Sequence, residues 1–182
     1  MSDRDQLLAS LNAGRGELLA AVEGMTDEQA AVKPAGGGWS ALDCVEHVAI
    51  VETLSLRRLT TQSVELPQEA SREREPVLYA RIANRTGKVE APELVQPKGR
   101  YTTISDAVGA FLDARERTVK WLENCHLDLR RRAVEHPALG PASAYEFVLI
   151  MAAHAARHAR QIQEVRGRGS NPSHDRQGGV SR

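Results

Sequence analysis

The chain has 182 residues, 41% of them apolar and 4% aromatic, which suits one domain with an interior of leucine, valine and alanine. Lysine plus arginine equal aspartate plus glutamate at 24 each, so the charge marks no nucleic-acid or anionic-membrane surface, and neither partner is expected. The longest apolar run, Phe147 to Ala153, is too short to cross a bilayer. No signal peptide is visible, and Cys44 and Cys125 form no CxxC pair, so a cytoplasmic location is expected.

Leu7, Leu8, Leu11, Leu18, Leu19 and Val22 recur near a helical period and predict a helix from Asp5 to about Glu23, weakened by Gly14 and Gly16 and stopped at Gly24. Thr26 to Gln29 reads as a capping box opening one short turn, and Pro34 with Gly36 to Gly38 as a loop. Ser40 is a good N-cap for a second long helix to about Gln62, with Trp39 fixing the entry and Asp43 favouring the positive end of the dipole. Its inward stripe reads Cys44, His47, Val48, Val51, Leu54 and Arg58.

From Leu66 to Arg100, four prolines and the run Ser71-Arg72-Glu73-Arg74-Glu75 predict a long connection, with a short helix around Val77 to Asn84. Connections of this length inside one domain often cover something. Thr103 opens a third helix to about Asn124, with Val108, Phe111, Leu112, Val119 and Leu122 inward and Arg115 and Glu116 outward. Arg130-Arg131-Arg132 reads as a solvated face, with an anion-binding rim as its alternative. Ser143 and Glu146 form a capping box for the fourth helix. No strand-like alternation appears. The expected architecture is an all-α four-helix bundle over 1–167, with a long crossover between helices 2 and 3 and a disordered tail over 168–182.

The fourth helix holds the chemistry. Phe147, Ile150, Met151, His154, His158, Ile162 and Val165 fall near one stripe, so two histidines one turn apart point where the apolar side chains point. Glu146, Arg157, Arg160 and Glu164 fall to the sides and back. His47 adds a third inward imidazole from the second helix. Facing helices of a bundle bring such side chains together, and three imidazoles without a fourth protein ligand leave a metal position open. Neutral histidines hydrogen-bonded within the core are the competing reading. Imidazole alone does not choose among zinc, copper, nickel and iron. His136 reads as a surface residue near a loop, with the mouth of the site as its alternative, and Gln161 as a residue able to orient a ligand or substrate. His126 and His174 read as surface and tail residues. Cys44 reads as a small buried hydrophobe, Cys125 as structural, and Glu46, about 100° around the helix from His47, as a solvated carboxylate.

Trp39-Ser40, then His47, then His154-x-x-x-His158-x-x-Gln161-Ile162 near the end of the pattern, resembles the DinB/YfiT-like superfamily. So does the passage from His136-Pro137 to Gly140 into the capped helix. The resemblance covers about residues 5–167. It implies an up-down-down-up bundle and a divalent transition metal, zinc or nickel foremost, on His47, His154 and His158. It also implies a metal-dependent hydrolase or a small-thiol S-transferase of the bacillithiol or mycothiol type, acting on a small molecule, and a homodimer. A non-catalytic metal- or ligand-binding stress-response bundle is the alternative.

Overall fold

Most helices begin where a side chain takes up the first free amide groups. Ser2 and Asp5 box the start of α1 (Asp3–Val22), Thr26 and Gln29 that of the short α2 (Asp27–Ala31), and Ser40 and Asp43 that of α3 (Ala41–Thr61). Pro76 sits in the first turn of α4 (Glu75–Ala83), and Thr103 caps α5 (Ile104–Asn124). Ser143 and Glu146 exchange hydrogen bonds at the start of α6 (Ala144–Gly169). The computed structural model describes residues 1–86, 90–137 and 139–169, so the tail expected over 168–182 lies, beyond Gly169, outside the described residues.

Contacts between the four long helices fix their directions. Tyr145 pairs with Gln6, Gly14 lies against Ala152, and Arg166 donates to the carbonyl of Ala21, so α1 and α6 run parallel. Arg115 donates to the carbonyl of Leu11 and Arg4 to that of Cys125, so α5 runs antiparallel to α1. His47 of α3 meets His154 and His158, whereas Arg115 lies between Glu52 and the carbonyl of Met151, so α3 and α6 are antiparallel. The order is up-down-down-up. α3 and α5 are parallel neighbours, and the chain must return along the bundle between them. α3 has 21 residues, so the return spans about 30 Å at the helical rise. α4 and a 3-10 turn at Glu93–Val95 occupy that crossover.

Gly14 does not weaken α1 to no purpose. A Cβ there would collide with the carbonyl oxygen of Ala152, so glycine permits the closest approach of α1 to α6. Ala152, Ala153, Ala155, Ala156 and Ala159 keep α6 slim enough to be packed by α1, α3 and α4 at once. α6 is therefore buried nearly all round over its first four turns, where the sequence suggested a single stripe. Among the described residues no helix is long and apolar enough to cross a membrane.

Three local expectations need correction. Strands are present: β1 (Val64–Glu65), β2 (Arg132–His136) and β3 (Gly140–Ser143) form an antiparallel sheet in the order β1-β2-β3, with Val134 opposite Ala142. They are short and bury few side chains, so an alternating pattern had no room to show. The all-α bundle is otherwise intact. Arg115 is 1% exposed rather than outward, because Glu52 neutralises it in the core. That pair shifts the inner stripe of α3 to Glu52, Ser55 and Leu59, leaving Val51, Leu54 and Arg58 only partly covered. Arg130 is likewise buried, between Asp3 and Glu75 and 3.7 Å over the Tyr145 ring, so it is neither a solvated face nor a free anion rim.

Candidate metal centre

α3 supplies His47 about two turns beyond its Ser40 cap, and α6 supplies His154 and His158. Because these helices are antiparallel neighbours, the three rings meet inside the bundle. His154 Nε2 lies 3.2 Å from His47 Nε2 and 3.2 Å from His158 Nε2. One potential ligand nitrogen from each ring falls within 4.8 Å of the others, with no carboxylate or thiol in the group. His47 and His158 are buried and His154 is partly exposed, so the group opens to solvent on the His154 side. Trp39 closes another side, 4.6 Å from the His47 ring centre and stacked at 5.9 Å on His158.

Burial pushes the pKa of all three imidazoles down, and mutual repulsion adds to this at His154 and His158. The rings are therefore neutral at pH 7. His47 Nδ1 is 2.6 Å from the carbonyl oxygen of Val95, so Nδ1–H donates and Nε2 carries a lone pair. The protons then run short. One hydrogen can satisfy only one of the two contacts at His154 Nε2, and His158 Nδ1 is buried without a hydrogen-bond partner. A neutral core network would be expected to satisfy these groups. A cation taking the facing lone pairs resolves the conflict at His154 Nε2: tetrahedral coordination at about 2.0–2.1 Å sets imidazole nitrogens roughly 3.4 Å apart, while His158 Nδ1 keeps its proton with no acceptor among the described residues. The donor set fits a divalent transition metal.

The other predicted residues lie around this group. Gln161 accepts from Arg85 Nη1 at 3.0 Å, and Arg85 also pairs with Glu164, which ties the crossover to α6. His136 sits on β2, 5.4 Å from the Phe147 ring, where a charge on it would be felt at His154. Cys44 is buried, and burial pushes its thiol up, away from reactivity. Glu46 is the correction. It is 1% exposed, not solvated, and accepts the backbone N–H groups of Lys98 at 2.9 Å and Arg100 at 3.1 Å. No sequence spacing links residue 46 or 47 to a backbone about fifty positions away, so Val95 and the 98–100 segment were not readable as parts of the site.

The sequence pattern of the DinB superfamily matches residues 10–162. The chain belongs to the DinB superfamily. Two solved structures share the DinB-like fold at 20% identity. One is TT2238, a four-helix bundle protein, with a TM-score of 0.57 over 88% of this chain and 98% of that one. The other is YfiT from Bacillus subtilis, with a TM-score of 0.59 over 91% and 87%, described as a probable metal-dependent hydrolase with an unusual four-helix bundle topology. No curated protein sequence matches the chain.

Proposed function

We propose that this DinB-superfamily protein binds a divalent transition metal, zinc or nickel, through His47, His154 and His158, and works as a metal-dependent hydrolase or a small-thiol S-transferase. The observation that carries the reading is the convergence of three neutral imidazoles, with His154 Nε2 in contact with both other Nε2 atoms at 3.2 Å. When bound, the ion would supply Lewis acidity for a water or a substrate thiol. Val95 holds the His47 ring in one tautomer, Trp39 keeps water from one side, and the His154 side, the least buried of the three, is the approach this reading gives a small molecule. Gln161 and His136 are the candidates for orienting that molecule in this reading. A thiol of the bacillithiol or mycothiol type, a cytoplasmic setting and a homodimer complete the reading, which the superfamily membership supports.

The test is metal analysis of untagged protein beside His154→Ala. About one zinc or nickel per chain, lost in the variant, is expected and would lead to thiol-transfer and hydrolysis assays. No metal in either protein after incubation with divalent ions would overturn the reading. The packing of Trp39 against two of the rings favours a second reading, a non-catalytic metal- or ligand-binding stress-response bundle. Cobalt-substituted protein distinguishes them: a visible spectrum that neither added thiols nor small anions such as azide perturb would favour the non-catalytic bundle.

A further inference from the structure

Two neighbouring residues of α3 grip the same stretch of the crossover. His47 donates to the carbonyl of Val95 at 2.6 Å, and both carboxylate oxygens of Glu46 accept amides from residues 98 and 100. Gly99 between them has φ +68°, the left-handed conformation that turns the flanking amides toward one anion. The stretch is also braced from within: Val95 N–H donates to Pro92, Gln96 N–H to Glu93, and the Gln96 side chain to Ala91. The Arg100 guanidinium stands farther off, 3.9 Å from Glu46 with its side chain 56% exposed. The backbone amides, not the guanidinium, are the main partners of this buried carboxylate. Glu46 therefore faces away from the metal centre and yet is built into its surroundings.

We propose that Glu46 is a positioning residue of the histidine centre. By clamping residues 98–100 it holds the Val95 carbonyl against His47 Nδ1, and so keeps the His47 Nε2 lone pair aimed at His154. Oriented partners of this kind fix the tautomer and direction of metal-ligating histidines, and losing one typically weakens metal binding about 10- to 100-fold. The effect on the metal rests on the reading given under Proposed function; the effect on the His47 ring does not.

Two readouts keep these apart. In metal-free protein labelled with ¹⁵N-histidine, the imidazole shifts of His47 should report the Nδ1–H tautomer in the wild type and a mixture in Glu46→Gln, which replaces one accepting oxygen with a donor. Gly99→Val attacks the same clamp from the exposed strap, where an added side chain meets open space and only the backbone conformation resists, and it should shift His47 the same way. Arg100→Ala should leave His47 as in the wild type. In parallel, zinc competition with a chromophoric chelator should show binding about 10-fold or more weaker in both clamp variants. An unchanged His47 tautomer in folded Glu46→Gln and Gly99→Val overturns the proposal, as does wild-type zinc affinity in both. A wild type that binds no zinc but whose His47 responds as described sinks the metal reading and leaves the clamp standing.

Discussion

Two polar clusters lie inside this bundle, five residues apart along α3, and they are built on opposite rules. Arg115 is bonded to both oxygens of Glu52, at 2.8 and 2.9 Å, and to the carbonyls of Leu11 and Met151. Its charge is balanced, and its donors reach three of the four long helices. The histidine group has three acceptor nitrogens crowded together, one backbone acceptor at Val95 and one orphaned ring nitrogen. A buried network complete within the chain holds a fold together; one left short of cations is shaped for something the chain does not supply. Burial alone does not separate the two. The count of donors against acceptors does.

The largest effect should come from unbalancing the complete cluster. Arg115→Met alone leaves Glu52 as an uncompensated buried charge and should cost about 3–5 kcal/mol in urea unfolding. Adding Glu52→Leu should recover most of this, and the double variant should still load zinc at the wild-type ratio. Loss of metal binding in a stably folded double variant would break the division of roles. The histidine group should behave in reverse: His154→Ala should leave metal-free stability near the wild type. Zinc at a hundred times its dissociation constant should stabilise the wild type by about 2.7 kcal/mol and leave that variant unmoved.

Acid should act on the histidines specifically. Their folded pKa values lie below the usual value of 6.5, so the unfolded chain takes up protons first as the pH falls. Metal-free stability is thus held above about pH 6.5 and declines below it, at up to about 1.4 kcal/mol per pH unit for each histidine until its folded pKa is reached. From pH 7.5 to 6 metal-free stability should therefore fall, the three histidines adding to one another. Urea midpoints should show a flatter slope in His158→Ala. An equal slope in that variant would place the titrating groups elsewhere.

The parts of the molecule legible beforehand are those coded locally. Ser40 with Asp43 and Ser143 with Glu146 announce helix starts because their partners lie three residues away. The clustering of His47, His154 and His158 could be anticipated because each interrupts an apolar stripe at helical spacing. Glu52, Arg115, Arg130 and Glu46 were misread or passed over for the opposite reason. Each is a charge whose burial depends on a partner 52 or more residues away in sequence, and a charged residue read alone looks solvated. The sheet escaped notice because its strands are two to five residues long and bury only Val134, Ala142 and Ser143.

The parallel arrangement of α1 and α6 has a practical reach for anyone handling the protein. α1 starts at one end of the bundle, and α6 finishes at the other, about three turns beyond His158. A fusion placed ahead of Asp3 begins about 30 Å from the last turn of α6, the length of a 20-residue helix. A polyhistidine tag on the α6 side follows the helix that carries two of the three histidines, and it can compete for the same ions. A connection from the last turn of α6 back to the start of α1 has to bridge the same distance, about ten extended residues. The orientation of one helix pair thus decides where handles, labels and surface attachments can go without touching the chemistry.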